Sequence, residues 1–167
     1  MVLTPASRPR ALAWLVLSLA VVIADQLTKL WALSSLAPYN PQPVIKGFVN
    51  WTLAFNTGAA FSFLSSGSGW QRWFFVGLAV AICAALCVWL WRTPRRDWRV
   101  AAPLGLIIGG AVGNLIDRVR LGQVTDFIQV YYRAAAWPTF NIADSAITVG
   151  AVALIVFGLW PGSRRAI

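Results

Sequence analysis

Two aspartates in the last third of the chain, Asp126 and Asp144, are the residues best suited to carry out chemistry. They lie 18 residues apart, on a connection that can leave a membrane and return. Two carboxylates held close in a partly dry site cannot both ionise, so the pair can supply an acid and a base. Such a pair can activate water for attack on a peptide carbonyl without a covalent intermediate. The alternative is that both are solvated, or that Asp144 caps a helix.

The amino-acid composition limits which catalytic mechanisms and metal sites are possible. The chain contains five acidic residues, all of them Asp, and no His. The absence of His excludes Ser-His triads, His-based acid/base catalysis and nearly all zinc sites, so we predict neither a metal nor a cofactor. Cys83 and Cys87 lie one helical turn apart in an apolar run. We interpret them as packing residues, because this spacing is poor for a disulfide bond.

The hydropathy of the chain predicts an all-α integral membrane protein. Of the 167 residues, 59% are apolar and 11% are charged, and the mean hydropathy is +0.68. Because about 20 apolar residues cross a bilayer, we predict one polytopic domain over residues 1–167. Its spans should cover approximately 11–33, 70–91, 100–116 and 142–160. The first run also resembles a cleavable signal peptide, but apolar residues resume after Lys29, so we interpret it as a span.

Basic residues predict the orientation of these spans. The net charge is +9, and most basic residues flank apolar runs, which indicates a phospholipid bilayer as partner and not nucleic acid. Eight arginines mark one face, which we predict to be cytoplasmic together with both termini. They are Arg8, Arg10, Arg92, Arg95, Arg96, Arg99, Arg164 and Arg165. The opposite face has five basic residues, Lys46, Arg72, Arg118, Arg120 and Arg133.

Two further patterns concern packing. The alternation Trp51, Leu53, Phe55, preceded by a turn at Lys46-Gly47, predicts a small β-sheet within about 38–66 on the outer side. In the third span, Gly105, Gly109 and Gly113 recur every four residues. This spacing predicts close approach of another helix.

Most of the polar residues inside the spans are predicted to lie in the outer half of the membrane. An ionisable group there is costly and is a functional candidate by default. Asp25 and Lys29 are one turn apart, so Lys29 could neutralise Asp25 while extending toward the interface, could support a site, or could do both. Asn114 should lie at the level of Asp25. Further candidates are Asn56, Asn141, Asp117 and Arg118. The Arg118 guanidinium could pair with Asp117, bind a phospholipid headgroup or tune the aspartate pair. Gly58 and Ala143 are small enough to line a narrow substrate path.

Five blocks in this order resemble the signatures of bacterial lipoprotein signal peptidase, also called signal peptidase II. They are Asp-Gln-Leu-Thr-Lys (25–29), Asn-Thr-Gly-Ala-Ala-Phe-Ser (56–62), Gly-Asn-Leu-Ile-Asp-Arg (113–118), Val-Thr-Asp-Phe (124–127) and Phe-Asn-Ile-Ala-Asp-Ser (140–145). The resemblance runs from the first span to the fourth. Thr125 stands where the family more often has Val.

The resemblance implies a membrane-embedded aspartic endopeptidase with four transmembrane helices, a small sheet and an interfacial segment on the periplasmic side. It implies cleavage of a prolipoprotein just before its diacylglyceryl cysteine, in the bacterial inner membrane, with the site facing the periplasm. Asp126 and Asp144 would be catalytic, and Asp25, Lys29 and Asp117 would give structural support. Asn56, Gly58, Asn114, Arg118, Asn141 and Ala143 would bind substrate or position the pair. We expect a monomer.

Two other classes of protein also fit intramembrane aspartates. One is a small proton-coupled transporter or channel subunit, which should have polar groups in both halves of the membrane. In this chain the inner half of every predicted span lacks charge. The other is a scaffold without an active site, for which the outer Asp and Asn residues would be expendable.

Overall fold

The fold is built on four long apolar helices. The computed structural model describes residues 10–58 and 70–159. A single 3-10 turn, Ala11–Trp14, leads into the first helix. The helices are α1 (Leu15–Ser35), α2 (Trp70–Arg92), α3 (Trp98–Leu121) and α4 (Ile142–Leu159). All four are long and apolar enough to cross a membrane, which agrees with the predicted fold class of four transmembrane helices.

The observed helix ends differ from the expected ones chiefly at α3, which continues to Leu121 and not to about residue 116. Its last turn contains Arg118 and Arg120, and it ends at Gly122, whose φ of 77° allows the left-handed C-cap. Some expectations lie outside the described residues: part of the sheet region and of the second sequence block (59–66), residue 160, and Arg8, Arg164 and Arg165.

Helix α3 is the centre of the bundle. It contacts the other three helices, and 56% of its most apolar 18-residue stretch is buried, against 11–17% in each of the others. Its glycines allow this: a Cβ on Gly105 would lie 3.1 Å from the Trp14 carbonyl oxygen, and one on Gly113 would lie 2.6 Å from Asp25 Oδ2. The predicted close approach at the glycine stripe is therefore confirmed, and α1 is an integral part of the bundle.

Replacing Gly109 with alanine should destabilise the packing of α1 on α3. A Cβ there would lie 2.7 Å from the Ser18 carbonyl oxygen and 2.8 Å from Val21 Cβ, so the helices must separate. We expect a loss of about 1–3 kcal/mol in the free energy of unfolding. Gly77→Ala is the matched control, because no atom lies within 4 Å of its added methyl group. Equal unfolding midpoints for the two variants would contradict the close packing.

A four-stranded antiparallel sheet stands at one end of the bundle. Its strands are β1 (Gln42–Ile45), β2 (Val49–Asn56), β3 (Val124–Tyr132) and β4 (Ala135–Ala136), in that order. The hairpin between β1 and β2 turns at Gly47, with φ of 87°. The predicted sheet was therefore correct but incomplete, because β3 and β4 come from the connection between the third and fourth spans, for which no strand was predicted. Asp126 lies on β3, opposite Ala54 of β2, and not in a loop.

An apolar cluster attaches the sheet to the end of α1. Ala32, Leu36, Leu53 and Phe127 are buried together there, and the Trp31 ring lies 6.1 Å from the Phe127 ring. Successive side chains of a strand point to opposite faces. Since Phe127 packs toward α1, this contact sets the position of its neighbour Asp126.

Candidate active site

One cavity, of about 810 Å³, lies where the sheet meets α3 and α4. Both Asp126 and Asp144 line it, so the structure brings the two predicted carboxylates to one site. Asn56, Asn114 and Arg118 line it as well. The cavity is also lined by aromatic and small polar side chains that the sequence analysis did not name as site residues, which are Tyr39, Phe55, Trp137, Thr139, Phe140, Ser145 and Thr148.

Two asparagine side chains hold the carboxylates in place. Asn141 Nδ2 donates to Asp126 Oδ1 at 2.7 Å, and Asn114 Nδ2 donates to Asp144 Oδ1 at 2.7 Å. The two amides are also joined, because Asn141 Nδ2 lies 3.1 Å from Asn114 Oδ1. The carboxylates are therefore linked through a continuous network of hydrogen bonds.

Asp144 also belongs to the N-terminal cap of α4. Asn141 Oδ1 accepts the Asp144 N–H at 2.9 Å, and Asp144 Oδ2 accepts the Asn141 N–H at 3.3 Å. This reciprocal arrangement is a capping box, with Asn141 as the N-cap. The capping alternative therefore coexists with the site. It fixes Asp144 at the first turn of α4, where the helix dipole favours a negative charge.

The environment of Asp126 favours its protonated form. Asp126 is only 3% exposed, and this burial raises its pKa to about 7. The nearby Asp144 carboxylate adds to the rise, whereas the hydrogen bond from Asn141 and the charges of Lys29 and Arg118 oppose it. A carboxyl group that exchanges a proton near neutral pH is suited to acid/base catalysis.

Behind the cavity, Lys29 is buried among three acceptors. Its Nζ lies 2.9 Å from Asp25 Oδ2, 3.0 Å from Asp117 Oδ2 and 3.0 Å from Asn114 Oδ1. The predicted Asp25–Lys29 pair is confirmed, but the lysine side chain is 3% exposed and points into the bundle. The alternative in which it extends toward the interface is wrong, because the ammonium is anchored by groups on α3.

The two carboxylates of this network also bind backbone groups. Asp25 Oδ1 accepts the Ala143 N–H at 3.0 Å, and Asp117 Oδ2 accepts the Thr125 N–H at 3.0 Å. Asp25 therefore joins α1 to the start of α4, and Asp117 joins α3 to β3. These are the elements that bear Asp144 and Asp126, so the network fixes the relative positions of the two catalytic candidates.

Gln26 is a member of this network that sequence reasoning did not single out. Its Nε2 lies 3.2 Å from Asp25 Oδ2 and 3.1 Å from Asp117 Oδ1. Two aspartates share one lysine, so an uncharged donor that reaches both disperses the excess negative charge. Its place beside Asp25 in an apolar run was the available signal.

Of the remaining predicted residues, Asn56 and Arg118 line the cavity, whereas Gly58, Asp117 and Ala143 are not among its described lining residues. Arg118 Nη2 donates to the Gly58 carbonyl at 3.2 Å, and Asp117 is paired with Lys29. Asn56 Oδ1 accepts the Gly58 N–H at 3.0 Å. Ala143 is fully buried against α3, since a Cβ on Gly113 would lie 3.3 Å from its methyl group.

Thr125 is the one departure noted in the sequence blocks. It is fully buried, and its Oγ1 has no hydrogen-bond partner among the described residues. Its main chain takes part in the site, because its carbonyl accepts Asn141 Nδ2 at 3.3 Å. The hydroxyl therefore replaces a methyl group of Val without adding a hydrogen bond to the site.

Within residues 10–58 and 70–159, no three His, Cys, Asp or Glu side chains are grouped so that they could hold a metal ion. Cys83 and Cys87 are free thiols on α2. Cys87 packs against the apolar cluster between the helices.

Comparisons with known proteins agree with this architecture. Residues 17–160 match the signal peptidase (SPase) II family. The chain is 58% identical over 156 residues to a lipoprotein signal peptidase of Xanthomonas campestris pv. campestris (strain 8004), covering 93% of each chain. It is 54% identical over 158 residues to a lipoprotein signal peptidase of Xylella fastidiosa (strain M12), covering 95% of each. A solved bacterial membrane enzyme superposes with a TM-score of 0.79 at 30% identity, covering 96% of this chain and 97% of that one.

The four-helix bundle with its small sheet is thus the fold of a bacterial membrane enzyme with four candidate transmembrane helices. The chain belongs to the signal peptidase II family, whose members cleave signal peptides in the processing of prolipoproteins. The expected family and fold class are confirmed.

Proposed function

We propose that this protein is an aspartic endopeptidase in which Asp126 and Asp144 together activate water. The observation on which this rests is that both carboxylates line one cavity and are joined through Asn114 and Asn141. A pair that shares one proton can deprotonate water with one carboxylate and hydrogen-bond the peptide carbonyl with the other. Asn56 and Arg118, which line the same cavity, would orient the peptide main chain.

The proposed substrate is a prolipoprotein, cleaved on the N-terminal side of its diacylglyceryl cysteine. The cavity combines the polar end formed by the aspartates with apolar walls from Phe55, Ile147 and Val149. A lipid-modified peptide has the same division between a polar main chain and acyl chains. A site near the end of the bundle would receive the scissile bond at the interface, where water is present.

We place the protein in the bacterial inner membrane, with both termini cytoplasmic and the cavity facing the periplasm. Arg92, Arg95 and Arg96 lie at the end of the bundle opposite the sheet, where the positive-inside rule puts the cytoplasm. We also propose that the protein acts as a monomer, because a single chain is sufficient to form the hydrogen bonds that join Asp126 to Asp144.

Cleavage of a synthetic prolipoprotein peptide by the protein reconstituted in phospholipid vesicles tests this proposal. The peptide should be cut just before its diacylglyceryl cysteine, at least about tenfold faster than the same peptide with an unmodified cysteine, because the acyl chains add apolar burial. Mass spectrometry of the products gives the cut site. Equal rates for the two peptides would contradict the lipid requirement, and no cleavage of either would contradict the peptidase.

A further inference from the structure

The two carboxylates of the cavity have different hydrogen-bond surroundings. Asp144 accepts at both oxygens, from Asn114 Nδ2 at Oδ1 and from the Asn141 N–H at Oδ2. Asp126 accepts only at Oδ1, from Asn141 Nδ2, and no described residue donates to its Oδ2. A protonated carboxyl group needs an oxygen that faces no other donor. Asp126 has such an oxygen and Asp144 does not.

The direction of these hydrogen bonds cannot be reversed by turning an amide. An asparagine side chain can present either its oxygen or its NH₂ group to a neighbour. The Lys29 ammonium can only donate, so Asn114 must turn its oxygen to Lys29 and its NH₂ group to Asp144. The Asp144 N–H can also only donate, so Asn141 must turn its oxygen to it and its NH₂ group to Asp126.

The direction of these hydrogen bonds is set by the Lys29 ammonium, which is held in place by its acceptors. Lys29 Nζ has three hydrogens, and three acceptors surround it on Asp25, Asp117 and Asn114. Its side chain is 3% exposed, so water cannot readily replace any of them. The orientation of Asn114 is therefore set by a buried charge on another helix.

We propose that Asp126 holds the resting proton of the pair, on Oδ2, while Asp144 is ionised, and that Lys29 sets this division through Asn114. The assignment rests on the proposed function for its catalytic meaning. Lys29 is a positioning residue in this scheme, because it acts through Asn114. Asp126 is the acid and Asp144 the base.

The assignment gives a balanced reaction. Water oxygen bonds to the carbonyl carbon as one water proton passes to Asp144, and the Asp126 proton passes to the carbonyl oxygen, which gives a gem-diol. The C–N bond then breaks as the Asp144 proton passes to the leaving nitrogen. Asp126 takes back a proton from the gem-diol as the new carboxyl C=O forms, which restores the resting state.

The charges around Asp126 agree with this assignment. Asp144 on α4 disfavours ionisation of Asp126, whereas Lys29 on α1 and Arg118 on α3 favour it. Burial is the largest influence, and it keeps the neutral form of Asp126 populated up to about neutral pH. The same two cations stabilise a single negative charge on the pair, which the hydrogen bonds assign to Asp144.

Asparagine substitutions at the two positions distinguish the proposed states without relying on catalysis. An Asn resembles a protonated Asp, so Asp126→Asn should keep every hydrogen bond and melt within about 2 °C of the unchanged protein in detergent at pH 6. Asp144→Asn must direct its NH₂ group at Asn114 Nδ2 or at the Asn141 N–H, which leaves donors unpaired. We expect its melting temperature to fall by roughly 4–10 °C.

The control is Asp97→Asn, because Asp97 is exposed in the connection between α2 and α3. The reverse order of stability, or equal shifts for the two site variants, would overturn the assignment whether or not the protein cleaves lipoproteins. Infrared spectroscopy at pH 6 gives a second readout if Asp144→Asn does not fold. The C=O stretch of a protonated carboxyl should be present in the unchanged protein and absent in Asp126→Asn, and its persistence in that variant would contradict the proposal.

Discussion

Asp126→Asn and Asp144→Asn should each lower the rate of signal-peptide cleavage by about 100- to 10,000-fold or more. An asparagine at position 144 cannot accept a proton from water. One at position 126 can hydrogen-bond the carbonyl but cannot release a proton to it. Initial cleavage rates of a lipidated substrate in vesicles measure the effect, at enzyme levels matched by the amount of folded protein.

The outcome separates the three classes of protein that the sequence allows. Loss in both variants, with normal activity in Asp97→Asn, is expected only of the aspartic peptidase. Turnover within about tenfold of normal in either site variant would rule out the paired mechanism, since each half-reaction needs both groups. A transporter or a scaffold would show no Asp-dependent cleavage at all.

Lys29→Met should lower the free energy of unfolding by about 3–5 kcal/mol. The substitution keeps the length of the side chain but leaves the Asp25 and Asp117 carboxylates buried without their cation. Two unpaired buried charges of like sign are costly, and removing one partner of a buried ion pair is correspondingly destabilising. Denaturation of the purified protein in mixed micelles gives the change.

The matched control for this substitution is Lys46→Met. Lys46 is exposed in the turn between β1 and β2, so its loss should change the unfolding free energy by less than about 0.5 kcal/mol. If Lys29→Met changed the free energy of unfolding as little as the control does, the buried ammonium would contribute little to stability. That result would also remove the basis for a fixed orientation of Asn114.

Lys29→Met should also lower the cleavage rate, because Lys29 sets the orientation of Asn114, which donates to Asp144. Without the ammonium the Asn114 amide can turn, and the Asp144 carboxylate then loses its oriented donor. Gln26 holds the same aspartates but does not contact Asn114 among the described contacts, so a substitution there should affect stability more than the rate.

Local sequence determined the spans, the types of reactive residue and the family. Whether a helix can cross a bilayer depends on about 20 consecutive residues, so the four helices could be read directly from hydropathy. The Asp25–Lys29 pair lies within one helical turn, and the glycine stripe of α3 within three, so these too were visible in sequence. The absence of His and Glu left Asp as the available carboxylate.

Tertiary structure alone decided how these residues meet. Strand β3 exists because Val124–Tyr132 pairs with residues about 75 positions earlier, such as Ala54 opposite Asp126, and no local pattern specifies that pairing. The third partner of Lys29 and the bridging amides join residues from different elements. Their hydrogen bonds form only when the helices are packed, because a donor and an acceptor far apart in sequence meet only through the fold.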